Sequence, residues 1–260
     1  MSPQDSIAAA IRAAGAAGRP ALVAFITAGY PHKERFREVL TEVASAADVV
    51  EIGVPFSDPM ADGLTIQRAS REAIAQGVTL RWILAELKAI RPQLAAPVLL
   101  MSYLNPLLAM GYERLAQLAR ESGVAGFIVP DLPLDESGPL DGALAAQQLA
   151  LVHLVSPVTP PARIAAAARA SRGFLYAVNV TGITGGESAA GAGLKDYLGR
   201  VAAQAEVPVC AGFGVRSAAQ VADLGEVVAG VIVGSALVEA LERGESPGEF
   251  LASLRSGQGG

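Results

Sequence analysis

The stretch VVEIGVPFSDPMADGLTIQ, Val49 to Gln67, contains one complete unit of the pattern that decides the fold. Two β-branched residues, Val49 and Val50, lead an apolar strand into Glu51, and the chain turns at Gly53. Pro55 and Pro59 each lack an N–H and fix φ, so neither a helix nor a central strand runs through them. Asp62 follows eleven residues after Glu51, and a helical pattern begins at about Ile66. One carboxylate therefore stands at a strand end and another on the loop above it. Two carboxyls in different environments can hold different protonation states, which suits acid–base chemistry.

The same strand–loop–helix unit recurs along the chain. Strands are predicted at Ala21–Thr27, Asp48–Ile52, Pro97–Met101, Ala125–Val129, Ala150–Val155, Gly173–Val178, Val207–Cys210 and Gly230–Val233. Helical patterns follow at Lys33–Ala46, Ile66–Ala75 with Leu80–Ile90, Tyr112–Glu121, Asp135–Gln148, Pro161–Ala170, Leu194–Ala205, Ser217–Leu224, and Leu237–Leu241 with Pro247–Leu254. The strands are almost wholly apolar rather than alternating, as parallel strands covered on both faces should be. About eight such units in 260 residues is the size of a closed (β/α)8 barrel. A doubly wound open sheet would use the same α/β alternation. Two features favour the barrel: no GxGxxG follows the first strand, and the glycine-rich turns lie late, after strands six, seven and eight. An extra N-terminal helix, Ser6–Ala17, would plug the bottom of the barrel. With no linker-like segment, the expectation is a single domain over residues 1–260.

Composition narrows the function. The chain is 52% hydrophobic and 17% charged, with a mean hydropathy of +0.40, which supports a sizeable buried core. Its net charge is −5 and no basic stripe appears, so nucleic acid is not an expected partner. Cys210 is the only cysteine, which rules out an intrachain disulfide or thiolate cluster and fits a reducing, cytoplasmic setting; it reads as a small buried hydrophobe. The N-terminus lacks a secretory h-region, and no run of 18 or so apolar residues occurs, so no membrane is expected.

In a barrel the active site lies where strands end and loops begin. Three glycine-bearing loops fall there: GITGG (Gly182–Gly186), AGFGV (Ala211–Val215) and VGSA (Val233–Ala236). Each glycine alone permits a tight turn. Three at these strand ends read as a phosphate grip made mainly of backbone N–H groups, with Gly234 and Ser235 at a helix start. Phe25, Leu100, Ile128, Tyr176 and Phe213 suit a flat apolar pocket for an aromatic group, although each singly is more often core. The segment Gly182–Leu194 is long enough for a lid, though a surface loop would look the same.

Absences matter as much. The three lysines, Lys33, Lys88 and Lys195, fall in helical segments, so an inward Schiff-base lysine is not expected. His32 and His153 lie in separate units without ligand spacing, and His153 reads as a buried, hydrogen-bonded histidine, so no metal is expected. What remains is acid–base chemistry on a phosphorylated substrate without metal or cofactor.

The stretch EIGVPFSDPMADG (Glu51–Gly63) closely resembles the signature of the tryptophan synthase α subunit family. So do AFITAGYP (Ala24–Pro31), MSYLNP (Met101–Pro106), GFIVPDLP (Gly126–Pro133), TGITG (Thr181–Gly185), AGFGV and VGSA, in family order across nearly the whole chain. The resemblance implies a TIM barrel that cleaves indole-3-glycerol phosphate to indole and glyceraldehyde 3-phosphate. It implies Glu51 and Asp62 as the catalytic pair, and Gly185, Phe213, Gly214, Gly234 and Ser235 as the phosphate site. Phe25, Leu100, Ile128 and Tyr176 would surround the indole and its glycerol chain, and Thr184 on the lid would contact Asp62. The family's partner is a β subunit carrying pyridoxal phosphate, in an α2β2 assembly, with Asp58, Pro59 and Pro133 in the partner-facing region. Leu64 stands where the family often has proline, and the lid lacks an arginine found in some members. Another phosphate-binding barrel enzyme and a purely activating subunit are the rival readings.

With neither lysine imine nor zinc, a retro-aldol cleavage must use the indole itself as electron sink once C3 is protonated. Glu51 is expected to shuttle protons and Asp62 to stabilise the charge at the indole nitrogen. The apolar strand end predicts a raised pKa for Glu51.

Overall fold

The computed structural model describes residues 1–178 and 192–255. Nine strands run parallel: β1 (Ala21–Thr27), β2 (Val49–Gly53), β3 (Val98–Met101), β4 (Val124–Ile128), β5 (Ala150–Val152), β6 (Leu154–Val155), β7 (Leu175–Val178), β8 (Val209–Gly212) and β9 (Gly230–Val233). Their spatial order is β5-β4-β3-β2-β1-β9-β8-β7-β6. Only His153 separates β5 from β6, so the two ends of this order are joined through one residue and the sheet curls into a barrel of eight staves. The predicted fifth strand is thus two halves: β5 pairs with β4 and β6 with β7.

Twelve α-helices are described: α1 (Pro3–Ala16), α2 (Phe36–Ala46), α3 (Leu64–Ala75), α4 (Leu80–Ile90), α5 (Leu104–Met110), α6 (Tyr112–Glu121), α7 (Gly138–Ala146), α8 (Pro161–Ala170), α9 (Ala192–Ala202), α10 (Ala218–Gly225), α11 (Ser235–Glu242) and α12 (Pro247–Arg255). Side-chain caps start several of them, as when the hydroxyls of Ser2, Thr79 and Ser217 accept N–H bonds from Asp5, Trp82 and Gln220. Two expectations shift. The helix predicted from Lys33 begins as a 3-10 turn, Lys33–Arg35, and becomes α-helical at Phe36. The short α5 was not predicted; Pro106 falls in its first turn, where a missing N–H is unpaired anyway.

The alternation hidden in the apolar strands is visible in the packing. Leu22, Ala24 and Ile26 of β1, Val50 and Ile52 of β2, and Leu175 and Ala177 of β7 face outward, into the layer shared with the helices. Val23, Val49, Leu99, Tyr176, Cys210 and Ile232 face the barrel axis. Ile7, Ile11 and Ala14 of α1 join this inner cluster, so the N-terminal helix closes the bottom as expected. The β3/β4 register slips between Val98 and Leu99, and Ala125 and Ile128, three residues apart, both reach the inside. At the bottom, Asp48 accepts bonds from Arg19, Arg255 and the Leu22 N–H, tying α12 to the first two strands. No helix among the described residues is long and apolar enough to cross a membrane.

Candidate active site

Strand parity decides which side chains can serve a site inside the barrel. On β2, Val50 and Ile52 point outward, so Glu51 points in, level with Phe25 on β1 and Leu99 on β3. Its side chain is fully buried, and neither carboxyl oxygen has a hydrogen-bond partner among the described residues. A carboxylate there would have given up water for nothing, so burial pushes the Glu51 pKa up to about 8. Near neutral pH Glu51 therefore holds a proton.

Asp62 sits on the loop between β2 and α3, half-buried, with its N–H donating to the Pro59 carbonyl. Burial raises its pKa to about 6, against a hydrogen bond from the Tyr103 hydroxyl that favours the charged form. The two carboxyls are thus held in opposite states at pH 7, one protonated and one mostly ionised, by the depth at which each is placed.

A cavity of about 580 Å3 opens at the strand ends. Asp62 lies on its wall with the apolar side chains of Phe25, Ile66, Met101, Leu154, Tyr176 and Ile232. Phe213, Gly214, Gly234 and Ser235 also line it. Gly234 is the N-cap of α11, so this region presents the N–H groups and positive dipole end of a helix. Gly214 has φ +67, a left-handed conformation that suits glycine and turns the backbone toward the cavity. At Gly212 a Cβ would stand 2.7 Å from the Tyr176 hydroxyl, so the missing side chain is what lets that ring lie across the barrel. Tyr176 is raised well above its ordinary pKa by burial first and then by the charges of Glu51, Cys210 and Asp62, which places it among all three.

Glu51 itself does not line the cavity; it lies beneath the wall formed by Phe25 and Tyr176. Ile128 also points inward but packs below, with Leu99 and Tyr176. Leu100 is a correction: it faces the helix layer, because Leu99 and Met101 take the inward positions of β3. Met101 occupies the cavity wall in its place. Thr184 and Gly185 fall outside the described residues, as does nearly all of the predicted lid. Asp58 and Pro133 are exposed and Pro59 is partly so, the first and last of these on the same loop as Asp62.

The three lysines all lie outside the barrel: Lys33 donates to the Gln76 and Gly77 carbonyls, Lys88 pairs with Glu121, and Lys195 with Asp223 and Glu226. His153 is buried with its Nε2 unpartnered among the described residues, where the sequence reading expected a hydrogen bond. It lines a second cavity of about 370 Å3 beside Asp131 and Pro133. Among the described residues no group of His, Cys, Asp and Glu side chains is placed to hold a metal ion.

Tyr103 is the residue that sequence reasoning undervalued. In the sequence it stands within MSYLNP, and no local pattern marks it. Its hydroxyl donates to Asp62 Oδ2 at 3.1 Å and accepts the Ala61 N–H at 2.9 Å. Its ring stacks on Phe56, with centroids 5.0 Å apart.

A family model described as tryptophan synthase alpha chain matches residues 11–256. The tryptophan synthase alpha chain of Desulfovibrio desulfuricans is 47% identical over 245 residues, covering 93% of this chain and 96% of that one. Its counterpart from Deinococcus radiodurans is 41% identical over 250 residues, covering 96% and 93%. Among solved structures, tryptophan synthase of Mycobacterium tuberculosis superposes with a TM-score of 0.88 at 37% identity, over 96% of this chain and 98% of that one. The tryptophan synthase subunit alpha of Legionella pneumophila gives 0.87 at 32%, over 99% and 97%. A barrel carrying two differently protonated carboxyls and a glycine-lined helix start is thus matched end to end by one set of relatives, and the chain belongs to the tryptophan synthase α chain family.

Proposed function

We propose that the chain is a lyase that cleaves indole-3-glycerol phosphate to indole and D-glyceraldehyde 3-phosphate, with Glu51 and Asp62 carrying the chemistry. The observation that carries this reading is the pairing, in and beneath one cavity, of a protonated and an ionised carboxyl with a helix N-terminus. The phosphate is held by Phe213, Gly214, Gly234 and Ser235, with Gly185 completing the site. The indole and glycerol chain lie against Phe25 and Tyr176, over Ile128, with Thr184 closing on Asp62.

Glu51 gives its proton to C3 of the indole, and the ring electrons leave a positive charge shared with the nitrogen. Asp62 accepts the ring N–H and stabilises that charge. Glu51, now a carboxylate, takes the proton of the hydroxyl on the carbon attached to C3. That oxygen becomes the aldehyde as the C3–carbon bond breaks, and its electrons return to the ring. Its first proton stays on C3 of the released indole and the hydroxyl proton replaces it, so Glu51 ends protonated as it began and the cycle needs no other acid. Because Glu51 lies beneath the cavity wall, its side chain must rotate past Phe25 and Tyr176 to reach C3. Each proton-transfer role is typically worth about 10²–10⁴-fold in rate.

The chain needs no cofactor of its own in this scheme. It acts as one domain over residues 1–260 in the cytoplasm, within an α2β2 complex whose β subunit carries pyridoxal phosphate and receives the indole. Asp58, Pro59 and Pro133 contact that subunit; Met60, 87% exposed on the same loop, and Leu64 at 78% add the apolar area such a contact needs. The test is direct: the chain is incubated with indole-3-glycerol phosphate, alone and with a tryptophan synthase β subunit, and free indole is measured. Release that rises on adding the β subunit is expected; none under either condition would overturn the assignment.

A further inference from the structure

The loop that carries Asp62 needs something to hold it. Pro55 and Pro59 keep it out of the sheet, and its residues from Ser57 to Ala61 are exposed or only partly buried. Nothing in the sheet ladder reaches this segment; β2 ends at Gly53 and α3 begins at Leu64. What reaches it is Tyr103, at the N-cap of α5 and 5% exposed. The side chain engages the loop at both ends, stacking on Phe56 near its start and meeting Ala61 and Asp62 near its finish. Tyr103, two residues past the end of β3, thus clasps the loop at both ends, and Gln67 of α3 also holds it by donating from Nε2 to the Asp62 carbonyl at 2.8 Å, a bond that leaves the Asp62 carboxyl to Tyr103.

We infer that Tyr103 is the positioning residue of the acid pair: its hydroxyl, oriented by the Ala61 N–H that it accepts, donates to Asp62 and keeps that carboxyl charged and aimed into the cavity. The inference rests on the reading of Asp62 as a catalytic group. Toward Asp62 the hydroxyl acts as the donor, because burial and the adjacent Asp62 hold its own ionisation far above neutral pH and it keeps its proton. Among the described residues the titratable groups facing Asp62 are Tyr103 and Tyr176; Tyr103 also feels Asp131, and Tyr176 also feels Glu51 and Cys210. Every one of the other groups is an acid or a neutral phenol or thiol, so the Tyr103 hydroxyl is what lowers the Asp62 pKa against burial.

The sign follows. Removing a hydrogen bond to the charged form raises the Asp62 pKa above about 6. The pH profile of kcat/KM has an acid limb set by Asp62 and an alkaline limb set by loss of the Glu51 proton. In Tyr103→Phe, which keeps the ring and its stack, the acid limb moves up by about one pH unit. Activity below that limb falls about tenfold, while the alkaline limb stays in place. Damage to packing alone would lower the whole bell without moving either limb.

The experiment compares kcat/KM profiles for indole release by the full chain and four variants, Tyr103→Phe among them, in complex with a β subunit. Phe56→Leu removes the stack and keeps the hydroxyl, so its acid limb is expected to remain where it was. Placing 3-fluorotyrosine at position 103 keeps the shape and sharpens the donor, and it should move the limb to lower pH, a change that misfolding cannot mimic. Asp62→Asn separates the two claims. If it retains turnover with an unchanged acid limb, the catalytic reading of Asp62 falls and the role of Tyr103 falls with it. If Asp62→Asn abolishes turnover but Tyr103→Phe and the fluorotyrosine leave the acid limb in place, or Phe56→Leu moves it as far as Tyr103→Phe does, Tyr103 is not the positioning residue and the catalytic reading stands.

Discussion

Replacing Glu51 by glutamine should shift stability in favour of the variant progressively as pH rises from about 5 to about 8.5. Glu51 is fully buried without partners, and its pKa in the fold is about 8 against 4.5 for the free group. In the unfolded chain it ionises above about pH 4.5; in the folded chain it does not until about pH 8. Between those values the folded state binds the extra proton, so stability falls as pH rises. One pKa unit is about 1.4 kcal/mol, which makes the cost roughly 3 kcal/mol at pH 7 and roughly 5 kcal/mol above pH 8. Glutamine cannot ionise and carries none of this. Its amide leaves donors unpaired at the same depth, a penalty of about 1–3 kcal/mol that does not vary with pH. The slope is therefore the clean readout. Urea unfolding of both forms at pH 5, 7 and 8.5 should give a difference that grows by several kcal/mol in favour of Glu51→Gln, with m unchanged. A difference that stays constant across that range would refute the reasoning, because Glu51 would then ionise alike in the folded and unfolded states.

Other outcomes follow from the same geometry. The unmodified protein should show a bell-shaped kcat/KM profile with limbs near pH 6 and 8, measured by indole release, since Asp62 must be charged and Glu51 protonated. Leu100→Ala should lower stability by about 2–5 kcal/mol in thermal or urea unfolding with little effect on KM, because Leu100 packs against the helices. Met101→Ala should instead raise KM for indole-3-glycerol phosphate, because Met101 lines the cavity. Gly214→Ala forces a side chain into φ +67 at a cost of about 1 kcal/mol, and should weaken inorganic phosphate as a competitive inhibitor.

Much of this was legible in the residues. Eight apolar segments alternating with helical ones predicted the barrel, and the N-terminal helix lies where a plug was expected, with Ile7 and Ile11 under the inner cluster. The boundaries drifted by up to three residues, as at Phe36 and Gly138, where a 3-10 turn precedes the helix. The burial of Glu51 followed from its place at the end of an apolar strand. Leu100 was misplaced because a wholly apolar strand hides its own parity: Leu99, Leu100 and Met101 look alike in sequence, and only register against β2 and β4 separates inside from outside. Tyr103 was undervalued for a different reason. Its partners, Phe56, Ala61 and Asp62, are some forty residues away in the chain, and no local pattern reports a contact between the loops of neighbouring staves. The break at His153 was equally silent, since one interrupted strand reads as one apolar run.

The central claim is that Glu51 moves the protons of the cleavage while Asp62 stabilises the charge at the indole nitrogen. Turnover and binding should be measured together for Glu51→Gln, in complex with a β subunit: indole release from indole-3-glycerol phosphate, and the Kd for the same substrate by calorimetry. The account predicts that release falls by at least about 10²-fold while Kd changes little. Release near that of the unmodified protein would contradict it, and would send the search for the proton donor elsewhere in the barrel.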